Sequence, residues 1–425
     1  MRALLTAVGT RGDVQPALAL ALELRKLGHE ARLCISPNFV AQAQSLGFEA
    51  VPMGVEMRLP AQGSAPPKLT PEELRRLRES MPDLIADQFE TVGAPAAGCD
   101  VILGANAHQY AAPSIAEHLG IGCVTAVYAP VAIPSTDLPP PPLPGAGEAT
   151  TETVEQRWRG TARSWNERAL DRINQNRARL GLAPIHDVLD YVLTNPTWLA
   201  ADAALAPVPT TPGREIFQTG SWVLADDRPL PPDLEAFLEQ GEPPIFVGFG
   251  SMPTAKDTSR ILIGAARAAG RRILISKGWA DLDLLDDAPD CAAVGDVSHD
   301  RLFPRVAAVV HHGGAGTTAA AARAGVPQVI TPMFNDQFYW SSRIVDLGIG
   351  TTTPHASLTE ASLTGALREV LAPTIADRAR TLAGQIGRDG AKIAARRLVA
   401  EYGPSGSPAR GARRTGSLPN SSDPR

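Results

Sequence analysis

The sequence predicts an α/β protein of two domains, each an alternation of strands and helices. Three observations carry this. The chain has 425 residues, too many for one ordinary core and suited to two. An apolar run of strand length, a glycine turn and a helix-forming segment open the chain, and the same series returns at Val306 to Gly325. Between them, residues 224–243 are rich in proline and acids, as a linker between domains is. The expected division is therefore 1–223 and 244–402. The Gly-, Pro-, Ser- and Arg-rich stretch 403–425 has no apolar periodicity and reads as a disordered tail.

In chain order, Arg2 to Val8 is a buried strand, Gly9 to Asp13 a turn, and Pro16 to Lys26 an amphipathic helix closed by Gly28. Strand Ala31 to Ile35, helix Val40 to Leu46 and strand Glu49 to Met53 repeat the unit. Arg58 to Lys68 is loop-like. Thr70-Pro71-Glu72-Glu73 then has the form of a helix start, with an N-cap, a first-turn proline and acids; the helical region runs on to about Val92. Strands Asp100 to Leu103 and Cys123 to Val127 flank a helix from Ala112 to Leu119. Ala129 to Thr150 is irregular, with consecutive prolines at 139–142, and a loop this long inside a domain usually binds or covers a ligand. Glu152 to Leu180 is a polar helix whose Trp158 and Trp165 share the face that packs on the domain. Ala203 to Ala206 reads as a strand, and Leu234 to Gln240 as a short helix inside the linker. The second half restarts at Pro244 to Ser251. It continues with strands Arg272 to Ser276, Ala292 to Val294, Val306 to Val310 and Gln328 to Thr331, and is helical from Thr359 to about Tyr402.

Composition narrows the function. A net charge of −5 with no basic stripe argues against a nucleic-acid partner. The four cysteines, Cys34, Cys99, Cys123 and Cys291, stand far apart without metal or redox spacing. They read as small core residues in a reducing cytosol. No secretory leader is visible and no apolar run reaches transmembrane length. A cytoplasmic protein is expected, monomeric and without stable membrane insertion.

The chemistry concentrates between Asp296 and Gln337. The Val306 to Val310 strand ends in His311-His312-Gly313-Gly314-Ala315-Gly316-Thr317-Thr318, followed by an alanine-rich helix. Glycines allow close backbone approach, and a helix N-terminus offers free N–H groups with about +0.5 charge. Such a turn suits a phosphate. His312 and Thr317 add donors. The next strand leads into Asn335-Asp336-Gln337, where a carboxylate beside a carboxamide can bond vicinal hydroxyls of a sugar. Phosphate and sugar together indicate a nucleotide sugar. The competing reading is a buried turn whose glycines only permit tight packing.

Taken with GTRGDV at 9–14, LPPPPL at 138–143, VGFGS at 247–251, SKGWADL at 276–282 and RVAAVVHHGGAGTT at 305–318, these residues resemble the family 1 glycosyltransferases. The vancomycin group, which acts on glycopeptide antibiotics in actinobacteria, is the most similar branch. The resemblance runs from Met1 to about Tyr402. It implies the GT-B architecture, two Rossmann-like domains facing each other across a cleft, with the N-terminal domain binding the acceptor and the C-terminal domain the donor. It also implies an inverting, metal-independent transfer from a UDP- or TDP-sugar to a hydroxyl of a small-molecule or peptide aglycone. No cofactor is expected beyond that co-substrate. The Asp281-Leu282-Asp283 spacing of a metal clamp reads as a solvated segment.

The donor site is expected to comprise Arg11, Gly250, Ser251, Trp279, Val297, His312, Gly313, Gly314, Ala315, Gly316, Thr317, Asp336 and Gln337. Trp279 and Val297 lie where similar proteins hold the nucleobase. Asp13 is the expected base, within Gly12-Asp13-Val14-Gln15-Pro16, where many relatives carry a histidine. Thr10 flanks it on the acceptor side. Asp13 could equally only cap its helix, and Arg11 only form a surface ion pair. Relatives with the histidine also carry an orienting aspartate on the segment matching Gly104 to Tyr110; this chain has no acid there, and His108 is the rival base. Other functions consistent with parts of the pattern are a sterol or lipid glucosyltransferase, a nucleotide-sugar epimerase or hydrolase, and a donor-binding protein without catalysis.

Overall fold

The computed structural model describes residues 1–56, 83–142, 151–250, 252, 257–278, 282 and 284–404. The expected loop at 58–68, the helix start at 70–73, the end of the proline loop at 143–150, Ser251, Trp279, Asp281, Asp283 and the tail from 405 lie outside these residues.

Two parallel sheets organise the chain. The first has seven strands: β1 (Arg2–Ala7), β2 (Glu30–Ile35), β3 (Glu49–Pro52), β4 (Val101–Ala105), β5 (Gly122–Val127), β6 (Thr197–Leu199) and β7 (Ile216–Gln218), in the order β3-β2-β1-β4-β5-β6-β7. The second has six: β8 (Ile245–Gly248), β9 (Ile273–Ser276), β10 (Cys291–Val294), β11 (Ala308–His311), β12 (Gln328–Ile330) and β13 (Gly350–Thr352), in the order β10-β9-β8-β11-β12-β13. Strands covered by helices on both faces read as continuous apolar runs. Leu4 and Leu5 on β1, and Val309 and Val310 on β11, are accordingly all fully buried. In each sheet the order reverses beside the first strand, between β1 and β4 and between β8 and β11. Open α/β sheets bind ligands at such reversals, beyond the carboxyl ends of the strands.

Several elements differ from the sequence reading. The first helix spans Arg11–Lys26 and contains Pro16. It starts within the expected turn because Asp13, in its first turn, accepts the Thr10 N–H at 2.8 Å and secures the end. Ala203 to Ala206 is a turn closed on the Asp202 carbonyl, not a strand. The strand is Thr197–Leu199, where Trp198 pairs with Ala126 of β5 and is fully buried. The last helix, Gly390–Tyr402, leaves the second sheet: Ala391, Ala394, Ala395 and Leu398 join the core formed by β1 and the first helix. Residues 390–402 thus pack outside the expected 244–402 unit, because their apolar stripe meets the open face of the Arg11–Lys26 helix.

The two halves touch through a shared apolar cluster that includes Leu205 and Ala206 from one side and Trp340 and Leu382 from the other. Polar ties reinforce it: the Gly387 N–H donates to Asp202 at 2.9 Å, and Arg343 to the Leu205 carbonyl at 3.1 Å. In the first half, the long helix Val154–Arg179 anchors the proline run, with Trp158 Nε1 donating to the Leu138 carbonyl at 2.8 Å. No helix among the described residues is long and apolar enough to cross a membrane.

Candidate active site

One wall of the site starts at the carboxyl end of β1. Gly9, at φ +138°, turns the chain into the helix; a Cβ there would lie 2.2 Å from an Asp13 carboxylate oxygen, so only glycine allows this turn. Asp13 is half-buried and held on both oxygens. Oδ2 accepts from the Thr10 N–H and, at 3.2 Å, from the Thr10 hydroxyl. Oδ1 accepts from Asn106 Nδ2 at 2.7 Å. Tyr128, from the end of β5, donates its hydroxyl to the Asp13 carbonyl at 3.0 Å. The cap and the cleft-side carboxylate are therefore the same group.

Asn106 was missed by reading the sequence, which looked for an acid at 104–110 and found none. A carboxylate accepts hydrogen bonds only, so its partner has to donate, and an asparagine amide does. His108, the rival base, stands nearby but makes no bond to Asp13 among the described contacts. Its ring stacks on Trp165 with centroids 5.2 Å apart and meets Tyr110 edge-on. Its side chain reaches solvent, yet the surrounding protein lowers its pKa through desolvation, against the opposing pull of Asp13. Trp165 packs against the apolar cluster of the domain, as expected, and His108 stacks on its ring.

The other wall lies beyond β8, β11 and β12. His311, the last residue of β11, and His312, just after it, point apart as successive residues of an extended chain do. His311 is fully buried: its Nε2 pairs with Gln328 Oε1 at 2.9 Å, and its Nδ1 accepts the Gly313 N–H at 3.1 Å. It shapes the turn. His312 points the other way, between Gly250 and Gly314. A Cβ on Gly314 would fall 2.6 Å from His312 Nε2, and one on Gly250 3.3 Å from its Cε1. The buried His312 Nδ1 has no hydrogen-bond partner among the described residues. Burial pushes this imidazole down to about 4, so it is neutral at pH 7 and offers one N–H and one lone pair.

Gly313, at φ +95°, and Gly314 lead into the helix Ala315–Arg323, which has no side-chain cap among the described residues. Its first hydrogen bond in the helical pattern is Thr318 N to Gly314 O at 3.0 Å. The N–H groups of Ala315, Gly316 and Thr317 precede it and point out of the helix end. Together with His312 they present donors and fixed dipoles of the kind that suits an anion.

Asp336 precedes the next helix, Gln337–Asp346, without a side-chain cap bond to it. It is half-buried and accepts from Trp340 Nε1 at 3.0 Å. Burial pushes its carboxyl up to about 6, with Asp13 adding like-charge repulsion; the two acids therefore sit within electrostatic reach across the cleft. Gln337 is committed to the protein. Its Oε1 accepts from the Met333 and Phe334 N–H groups, at 2.8 and 3.3 Å, and its Nε2 faces the Met252 sulfur at 3.6 Å. It braces the loop before Asp336 against the Gly313 turn. Arg11 does reach the second domain, but as an ion pair with Asp296 at 2.5 Å, where Arg228 also binds at 3.2 Å. Val297 follows Asp296 directly and is half-buried beside the core. Among the described residues, Asp286, Asp290 and Cys291 stand close enough to share a metal, but Arg267 bridges both carboxylates at 2.9 and 2.8 Å.

Comparisons with known proteins agree with this geometry. Residues 3–135 match the glycosyltransferase family 28 N-terminal domain, and residues 262–390 the C-terminal domain of the erythromycin biosynthesis protein CIII-like family. The chain is 42% identical to the vancomycin aglycone glucosyltransferase of Amycolatopsis orientalis, over 94% of this chain and 97% of that one. It is 40% identical to the dTDP-epi-vancosaminyltransferase of the same organism, over 90% and 93%. Among solved structures, the glycosyltransferase of kitacinnamycin superposes with a TM-score of 0.70 at 19% identity, covering 94% of this chain and 99% of that one. The two facing parallel-sheet domains are the GT-B architecture, and the chain belongs to the family 1 glycosyltransferases, in their vancomycin group.

Proposed function

We propose that this glycosyltransferase moves a sugar from a UDP- or TDP-sugar to a hydroxyl of a natural-product aglycone, with inversion and without a metal ion. The acceptor hydroxyl oxygen attacks the anomeric carbon on the face opposite the diphosphate. The bond to the diphosphate breaks, and the hydroxyl proton passes to the Asp13 carboxylate. The His312 N–H, the Gly313 and Gly314 turn and the N–H groups of Ala315, Gly316 and Thr317 receive the negative charge that grows on the leaving group. Asp336 holds sugar hydroxyls. Val297, Trp279, Gly250 and Ser251 complete the donor site, and Thr10 adjoins the acceptor. The protein works as a monomer in the cytoplasm.

The observation that carries this reading is the N-terminus of the Ala315–Arg323 helix, uncapped among the described residues, with the Nε2 side of His312 next to Gly314. A phosphate oxygen at this helix end would accept from the free N–H groups and from His312. The names of the two Amycolatopsis relatives supply the acceptor class and a thymidine-type donor. In the test, purified protein is incubated with a panel of UDP- and TDP-sugars and hydroxylated aglycones, and products are read by mass. Glycoside formation with free nucleoside diphosphate as co-product is expected. Donor hydrolysis or epimerisation alone, across a broad acceptor panel, would replace transfer with one of the other readings.

A further inference from the structure

Asp13 is held by a residue 93 positions away, and the way that residue is itself held has a functional meaning. Asn106 follows β4 directly, at the carboxyl end of the sheet. Its backbone is left-handed, φ +74°, one of two such non-glycine residues among those described. This conformation is uncommon for side-chain-bearing residues, and asparagine is among those that tolerate it. Strained backbone of this kind persists where the surroundings over-determine it. Here they do: the Asn106 N–H donates to the Ala126 carbonyl at 2.7 Å, tying β4 to the end of β5.

The amide orientation is equally fixed. Asn106 Oδ1 accepts the Ala107 N–H at 2.8 Å, which leaves Nδ2 as the group facing Asp13. Flipping the amide would set an NH2 against an N–H on one side and two acceptor oxygens together on the other. The carboxylate is thus clamped from two elements: Thr10 at its own helix start and Asn106 at the end of β4. We propose that Asn106 is the positioning residue of the transfer reaction, setting the plane and direction of the Asp13 carboxylate toward the acceptor hydroxyl. The inference rests on the reading of Asp13 as the proton acceptor. It explains why a donor stands here: the group to be oriented is itself an acceptor, so an acid in this place would repel it.

The test is a cycle of Asn106→Gly, Asp13→Asn and the double variant, with kcat and donor KM measured for each and folding checked by thermal melting. Glycine adopts φ +74° freely, so Asn106→Gly removes the amide without adding strain. A misplaced catalytic group costs up to about 100-fold. The expected result is a fall of about 10- to 100-fold in kcat for Asn106→Gly, an unchanged donor KM, and no further fall when it is added to Asp13→Asn. The isosteric Asn106→Asp, which replaces the donor by an acceptor, should lose at least as much and guards against a folding artefact. Normal kcat in Asn106→Gly alongside a crippled Asp13→Asn would overturn the positioning role while leaving the base in place. Losses that multiply in the double variant would also overturn it, since the residue would then act independently of Asp13. A near-normal Asp13→Asn would remove the base reading itself, and with it this inference.

Discussion

Replacing Asp13 by asparagine is a sharper test here than at an ordinary helix start. Asparagine normally substitutes well for aspartate as a cap, so a purely capping role predicts little change. In this structure the second oxygen faces the Asn106 NH2 at 2.7 Å. If the carbonyl of the substituted side chain keeps the Thr10 N–H, its NH2 meets the Asn106 NH2, which cannot turn away because Asn106 Oδ1 is engaged with Ala107. Any orientation leaves one donor unmatched. An unmatched buried donor costs about 1–3 kcal/mol, and half-burial puts this site near the low end. A loss of about 1 kcal/mol lowers Tm by about 2–4 °C for domains of this size, and leaves nearly all the protein folded at assay temperature.

Stability therefore does not account for any large fall in rate. If Asp13 accepts the proton, kcat at saturating substrates should drop about 10²–10⁴-fold, with donor KM unchanged where, as proposed, the opposite half holds the donor. Adding Asn106→Asp to Asp13→Asn restores matched donors and acceptors, so melting should recover while the rate stays low. A kcat for Asp13→Asn close to wild type would refute the assignment. A large loss in a parallel His108→Ala variant, with Asp13→Asn near normal, would move the role to His108.

Further outcomes follow from the second wall. His312→Ala should weaken donor use without unfolding the protein, by about 1.5–3 kcal/mol for one hydrogen bond to a charged group; unchanged turnover and donor affinity would end its assignment to the diphosphate. Activity should persist in excess chelator, and a loss restored by magnesium or manganese would refute metal independence. Burial pushes His299, His311 and His312 down to about 4, 3 and 4 from the ordinary 6.5, so all three stay neutral when folded and protonate on unfolding. Their contribution to stability is complete above about pH 6.5 and is lost as pH falls toward about 4. Asp336, raised to about 6, opposes this with a single proton. Denaturation midpoints should therefore fall steeply from about pH 6.5 to about 4.5, and a flat profile would contradict the burial of these rings.

What was legible in the sequence was what local pattern determines. β1 and β11 stand out because strands buried on both faces are unbroken apolar runs, and the glycine turns after them mark where the chain must bend sharply. β6, β7 and β13 have three residues each and were missed or misplaced; β12 is as short and was read because its apolar run lies between the end of a helix at Gly325 and Pro332. The docking of Gly390–Tyr402 on the first domain was invisible for another reason: an amphipathic helix does not state which core it will meet. The same holds for the site. The positions of Asp13 and His312, just beyond the carboxyl ends of β1 and β11, were readable from their turns. Asn106 as the partner of Asp13 was not, since nothing local links residues so far apart. Gln337 is another case of a partner not legible in the sequence: its Oε1 accepts from backbone N–H groups three and four residues earlier.

Arg11 poses the remaining question of role, and the structure gives it a measurable form. It was expected in the donor site or in a surface ion pair, and it binds Asp296, in the other half of the chain and immediately before Val297. Both side chains are about half exposed, at 50% and 49%, and exposed pairs contribute about 0–1 kcal/mol. If Arg11 acts only through this pair, Arg11→Gln and Asp296→Asn should change donor KM alike, by about fivefold at most, and the double variant should add nothing. If Arg11 instead leaves Asp296 for a phosphate when donor binds, removing Asp296 frees it and should leave donor use intact or improved. Arg11→Gln would then cost a charge-assisted bond, about tenfold or more. The first outcome is expected, because Asp296 already has a second arginine, Arg228, 3.2 Å away, and is built to receive cations. A rise of about tenfold in donor KM for Arg11→Gln, with a silent Asp296→Asn, would return Arg11 to the phosphate.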